Sequence, residues 1–393
     1  MNTVTGPERS NRAAELEHII GHLEGINAEA VGKNLWIRTK WNTTHQHPWH
    51  LGSSTAPPHL PQNLPVEHAA AMPCVWKWAD IEPYLYKLAE LCPLELTERQ
   101  SVLLVNPGFG TNGMKVTNTM RIAISIYKHG DLANAHLHTP NASRTLLSEK
   151  GGHTIVEGER IEPKRGDIVF TPNGTWHEHG NQDNEPVIWA DLLDLPLLDF
   201  LSATWVRSDT EHAPRLKKPD LNFSERFYGH GGIKPLFPVH PRGEGQRVTP
   251  MFHIRGTDIL ATLKDFSQYD GDVHEGIIVE LVDPMTGKPA FPTLSHRAQL
   301  LRPGERTLPF RHTASTVYCV MEGSGRTDVD GEILEWTKND FFVVPSHRWR
   351  EHINTGSAPA VLYSYTDMPL LSKIGLYRAQ HKSANGQIAD IRQ

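Results

Sequence analysis

Cysteine is scarce in this chain. Three thiols in 393 residues, Cys74, Cys92 and Cys319, cannot form a disulfide framework, which excludes a stapled secreted scaffold and fits a reducing cytoplasm. As small buried apolar side chains they need no further role. Long apolar runs are missing too: nothing approaches the roughly 18 residues of a membrane-spanning helix. Met1 to Arg9 carries no apolar signal core, so no membrane partner is expected. Neither sign of charge dominates. Against 45 Asp and Glu stand 39 Lys and Arg, giving −6 with no basic block, which argues against nucleic acid as a partner. No Gly-x-Ser-x-Gly elbow occurs, which removes a serine hydrolase. No flavin, haem or nicotinamide cofactor is expected.

Histidine, by contrast, is plentiful, at 23 residues. Three His-x-His pairs occur, His45/His47, His136/His138 and His177/His179, and a pair alone carries little weight. The spacing around the last two carries more. Gly130 is followed after five residues by His136-Leu-His138. Gly166 is followed after five residues by Pro172-x-Gly174-x-x-His177-x-x-x-Asn181. On a strand, His136 and His138 point to the same face. Ile168-Val169-Phe170 reads as a further strand and Thr171 to Gly174 as its turn, which delivers His177 to the same interior. Three neutral imidazoles suit Fe, Zn, Cu or Ni and leave coordination positions open.

Leu16, Ile19, Ile20, Leu23 and Ile26 lie on one face of a helix expected over Arg12 to Asn34. Residues 42–73 are rich in Pro and His (His45, His47, His50, His59) and read as a surface arm packing on a neighbour. A second helix is expected from near Asp80 to Leu91. From Leu94 onward, short strands with Gly and Pro punctuation indicate an antiparallel sandwich or barrel. Ser101 to Val105, Met120 to Tyr127 and Val187 to Leu193 are among them. The chain then repeats. Asp194-Leu-Pro-Leu-Leu returns 173 residues later as Asp367-Met-Pro-Leu-Leu, and the two motifs return as Gly304…Phe310-Arg311-His312 and Pro345…Arg350-Glu351-His352. In this second copy Phe310 cannot ligate a metal, and Arg350 stays protonated and only donates.

The paired motifs resemble the two-part signature of the cupin superfamily. Many cupins add a Glu four or five residues after the His pair; here those positions are Ala142 and Ser143. Three His without that Glu resemble the gentisate 1,2-dioxygenase family, with its salicylate and 1-hydroxy-2-naphthoate dioxygenases. Val75-Trp-Lys-Trp78, Asn106-Pro-Gly108, Trp176-His-x-His-Gly-Asn181 and Trp189 through Pro196 agree with it. The resemblance implies an all-β bicupin: two jelly-roll barrels with an N-terminal helical segment. It divides the chain into an arm over 1–95, a catalytic barrel over 96–200, a connector over 201–260, a metal-free barrel over 261–372 and a tail over 373–393. It implies Fe(II) held by His136, His138 and His177, and an ortho-hydroxy aromatic acid opened with O2 between its carboxyl-bearing and hydroxyl-bearing carbons. It further implies a homotetramer. A cupin isomerase or decarboxylase using Mn or Zn on a small acid is the competing class. The missing Glu and the Trp-His-x-His-Gly-Asn run argue against it. A storage bicupin is disfavoured because one His set is complete.

Arg99 and Arg144 match family positions credited with substrate handling, and Trp189 is grouped with them. A guanidinium offers a carboxylate two-pronged donors that Lys does not. His179 reads as an acid or base beside the metal, with Asp191 as its orienter. Where the family commonly carries an aromatic residue, Gly and Gln on the strand before the His pair, this chain has Arg121, Ala123 and Ser125. Alternation turns all three towards the pocket. Loss of the aromatic wall and gain of a cation point to a substrate with an extra polar or anionic group.

Overall fold

The protein is described by a computed structural model covering residues 6–38, 70–94, 96–97, 99–110, 113–208, 220–221, 223–230, 251–284 and 286–390. His45, His47, His50 and His59 lie outside the described residues. Two β-sandwiches follow one another along the chain. In the first, a seven-stranded sheet runs Leu35–Arg38, Gln100–Leu104, Arg121–Tyr127, Val187–Leu193, Ala142–Leu146, Ile168–Thr171, His253–Ile254. It faces a six-stranded sheet of Val206–Arg207, Leu132–His138, His177–Gly180, His153–Val156, Glu159–Ile161 and Asp220–Leu221. The second sandwich repeats this plan. Its seven-stranded sheet centres on Ser295–Leu301, Ala360–Thr366 and Thr316–Glu322, and its six-stranded sheet on Arg350–Asn354 and Phe310–His312.

Strand alternation decides where the cores lie. On Arg121–Tyr127, Ile122, Ile124 and Ile126 enter the largest apolar cluster, while Ala123 and Tyr127 belong to clusters inside the first barrel. The largest cluster also takes Ala298, Leu300, Val317, Val361, Tyr363 and Tyr365 from the second barrel. The two seven-stranded sheets therefore pack outer face on outer face. Each fully buried Ile contributes roughly 2 kcal/mol there, and that contact makes the repeat one body.

The repeated Asp-x-Pro motif is an inter-barrel lock made twice. Asp194 accepts from Thr293 Oγ1 at 2.5 Å, and Asp367 accepts from Thr119 Oγ1 at 2.6 Å, each Thr preceding the other barrel's strand. A second reciprocity was not expected from the sequence. Cys74–Trp76 precedes the first barrel yet pairs with Phe341–Val344 of the second, whereas His253–Ile254 precedes the second barrel and pairs with Ile168–Thr171 of the first. A helix follows each exchanged strand, Trp78–Leu91 and Gly256–Phe266. Its first N–H is accepted by an aspartate of the barrel it joins, Asp340 at 2.7 Å or Asp167 at 2.8 Å. A carboxylate there satisfies an otherwise orphan donor and the helix dipole. Thus the segment expected as a helical arm also supplies strands to both barrels, Leu35–Arg38 to the first and Cys74–Trp76 to the second. Two connector strands, Val206–Arg207 and Asp220–Leu221, are likewise edge strands of the first barrel.

The turn that brings His177 inward needs a left-handed residue. Gly174 has φ 70°, and in the second copy His347 holds φ 65° at the matching place, a conformation glycine adopts at no steric cost. Gly108, Gly110 and Gly113 have the Gly-x-Gly-x-x-Gly spacing after Gln100–Leu104. That run contains the short 3-10 turn Pro107–Phe109, and no helix is assigned over the described residues from Gly113 to Met120, so it lacks the helix N-terminus a dinucleotide needs.

Candidate active site

Leu132–His138 and His177–Gly180 are neighbours in the six-stranded sheet, with His177 directly opposite His136. His136, His138, His177 and His179 are all buried, and their rings gather inside the first barrel. Ring centroids are 4.3 Å apart for His136 and His177 and 4.7 Å for His138 and His177. His179 stays on the face of His177, with ring centroids 5.3 Å apart, although the pairing with Leu132–His138 shifts register between them.

Nitrogen spacing groups His136, His177 and His179, which bring one ring nitrogen each within 4.8 Å of one another. The expected ligand set has His138 in place of His179. Hydrogen bonds separate the four rings. Nδ1 of His136, His138 and His177 lies 2.7, 2.8 and 2.9 Å from the carbonyls of Asn134, Pro140 and Thr175. A carbonyl only accepts, so each Nδ1 carries the proton and each Nε2 presents a lone pair. His179 differs: its Nδ1 meets the Thr154 hydroxyl at 3.0 Å, a group able to donate. Its Nε2 is then free to bear the proton. A metal needs an unprotonated nitrogen, which His136, His138 and His177 each present at Nε2.

Burial, reinforced by neighbouring His and Arg charges, lowers the proton affinity of His138 to about 3 and holds His177 and His179 well below the imidazole range. These three rings are neutral at neutral pH. His177 Nε2 is buried with no hydrogen-bond partner, as a nitrogen lone pair reserved for a metal would be. Three imidazole donors with fixed tautomers and no carboxylate fit a divalent transition metal.

Two guanidiniums adjoin the cluster. Arg99 Nη2 donates to His136 Nε2 at 2.6 Å, against the lone pair a metal would take. Arg144 is buried, with Nε 2.9 Å from Asp191 Oδ1. Asp191 Oδ2 accepts from Ser125 Oγ at 2.8 Å and from Trp189 Nε1 at 3.1 Å. The orienting role expected of Asp191 is therefore corrected: it holds Arg144, and Thr154 holds His179. Ser125 and Trp189 both donate to Asp191, and Trp189 also packs against Tyr127, the rings tilted by 32° with centroids 4.7 Å apart.

Ala123 lies opposite Asp191 and packs with Leu103 and Met114. Arg121 starts the same strand, half-buried opposite Leu193. Trp36 packs against the Leu103–Ala123 cluster, which sets an aromatic ring beside Ala123. Its strand, Leu35–Arg38, follows directly on the expected helix and was not expected; only the β-branched and aromatic run Leu35-Trp-Ile37 signalled it. In the second barrel, Phe310 lies 4.6 Å beneath the Arg350 guanidinium, which is ion-paired to Glu275. His352 bonds Thr327 at 2.8 Å, as His179 bonds Thr154. The pair survives where the ligand set does not.

The Cupin domain family matches residues 123–195 and 298–366, one stretch in each barrel. The 5-aminosalicylate 1,2-dioxygenase of Comamonas sp is 36% identical over 322 residues, spanning 80% of this chain and 83% of that protein. A gentisate 1,2-dioxygenase of Haloferax sp is 33% identical, over 77% of this chain and 86% of that protein. The salicylate 1,2-dioxygenase of Pseudaminobacter salicylatoxidans superposes with a TM-score of 0.71 at 28% identity, covering 82% of this chain and 92% of that one. Sequence, barrel pair and imidazole cluster agree, and the chain belongs to the cupin family of ring-cleaving aromatic-acid 1,2-dioxygenases.

Proposed function

We propose that the protein is a non-haem Fe(II) dioxygenase for a 2-hydroxybenzoate bearing a polar ring substituent, the class that gentisate and 5-aminosalicylate share. The Arg99 contact with His136 carries this reading, because it sets a permanent cation beside the metal position, where an aromatic carboxylate would arrive. His136, His138 and His177 would hold the iron through Nε2. Iron, when bound, would supply Lewis acidity and reducing electrons for dioxygen chemistry.

The chain's own groups bind and orient. Arg99 meets the carboxylate with paired donors. Arg144, fixed through Asp191, presents a second guanidinium whose charge stabilises developing negative charge on the substrate. His179, held at Nδ1 by Thr154, holds or moves a proton at Nε2. Arg121, at the start of its strand, reads the ring substituent, and Ala123 with Trp36 shapes that side of the pocket. In the net reaction the bond between the carboxyl-bearing and hydroxyl-bearing carbons breaks. The first becomes a keto carbon and the second a carboxyl, each taking one oxygen of O2.

Labelled dioxygen tests this. Both labelled atoms should appear in a ring-opened product by mass spectrometry. A decarboxylated or isomerised product with no label would replace the reading with a non-oxygenase cupin. The same reading places the protein in the cytoplasm as a homotetramer. The cysteine content supports the location; among described residues no helix is long and apolar enough to cross a membrane.

A further inference from the structure

We infer that the second barrel, which lacks the ligand set, positions Arg144 from behind through His296 and Tyr365. The strand Ala142–Leu146 lies between the first barrel's interior and the contact between the two barrels. Arg144 faces the site, opposite Asp191 and Val169, while Ser143 and Thr145 on either side face the other barrel. Ser143 Oγ lies 2.7 Å from His296 Nε2, and Thr145 Oγ1 lies 2.6 Å from the Tyr365 hydroxyl. All four side chains are at most 1% exposed. Around them the contact is aromatic, with Phe170, Phe291 and Tyr365 ringing His296.

An apolar interface alone tolerates small slips between packed sheets; a buried polar pair has one good geometry and a high cost when broken. Two such pairs, on the residues flanking Arg144, fix both the height of this strand and its twist. His296 and Tyr365 touch neither substrate nor metal position, so they are positioning residues. The inference rests on the assignment of Arg144 to substrate handling.

Tyr365→Phe removes one bond with little change of shape, and Thr145→Val removes it from the other side should Tyr365→Phe not fold. Tyr363→Phe is the control, since its hydroxyl makes a comparable inter-barrel bond to Gly166 O at 2.9 Å, on a turn rather than on this strand. Iron content should stay unchanged in all three. Tyr365→Phe and Thr145→Val should each lower kcat/KM for the aromatic acid by about tenfold, with the double variant no worse than either. Hydrogen exchange across 142–146 should quicken in the metal-free protein for these variants and not for Tyr363→Phe. Equal losses in Tyr363→Phe and Tyr365→Phe, or unchanged exchange and kcat/KM in Tyr365→Phe, would overturn the inference. Arg144→Lys separates the two levels. A large loss there with an unaffected Tyr365→Phe removes only the positioning role, whereas an unaffected Arg144→Lys removes the role of Arg144 and the inference with it.

Discussion

Arg144 Nε and Asp191 Oδ1 face each other at 2.9 Å, with side chains 1% and 3% exposed. Because Ser125 and Trp189 both donate to the other carboxylate oxygen, the guanidinium is held by an acid that is itself held. Removing one member of a buried pair strands the other charge. Asp191→Asn should therefore destabilise the protein by roughly 3 kcal/mol in urea unfolding and lower kcat/KM while leaving bound iron near one per chain. Full activity in this variant would mean Arg144 does not depend on Asp191.

Ligand identity is decided by comparing His138→Ala with His179→Ala. The hydrogen-bond pattern predicts that His138→Ala, like His136→Ala and His177→Ala, loses iron and turnover together, because two imidazoles hold Fe(II) poorly. His179→Ala should keep its iron and lose turnover. Metal analysis showing the reverse pair of results would transfer the third ligand from His138 to His179.

Arg121→Tyr should move the substrate ranking towards gentisate, since it returns an aromatic wall and removes a cation from the strand that begins the pocket. Relative kcat/KM for gentisate, 5-aminosalicylate and salicylate measures this. An unchanged ranking would assign Arg121 a structural role.

His253 supplies a pH signature far from the ligands. Burial opposes its charge, but Asp167 and Glu225, bonded to its two nitrogens at 2.8 and 3.0 Å, outweigh burial and raise it to about 9. A raised imidazolium stabilises fully below its unfolded value near 6.5 and loses that contribution as pH rises through about 9. The melting-temperature gap between wild type and His253→Gln should thus be widest below pH 6.5 and close above pH 9. A gap independent of pH would show that the imidazole is neutral in the fold.

Much of this architecture was legible because it rests on local geometry. Gly130, Gly166 and Gly174 all hold positive φ, so their spacing marked turns, and the residues between them marked strands. Period-two alternation placed His136 and His138 on one face. The exchanged strands were not legible: Cys74–Trp76 and His253–Ile254 have three residues and two, too short for any pattern, and their partners lie far away in sequence. Asp191 shows a similar limit. It was expected to orient His179, but the choice between Arg144 and His179 depended on the cross-strand register, which pairs Asp191 with Arg144. Trp36 was missed because its strand, Leu35–Arg38, has only four residues, too few for alternation to stand out just beyond the expected helix.

The central claim is tested most directly by oxygen uptake from protein loaded anaerobically with Fe(II). The panel would be gentisate, salicylate, 5-aminosalicylate and 1-hydroxy-2-naphthoate. One O2 consumed per molecule of at least one of these acids, fastest with a ring-substituted salicylate, is the expected result. No uptake with any of them, from protein holding one iron per chain, would contradict a ring-cleaving dioxygenase.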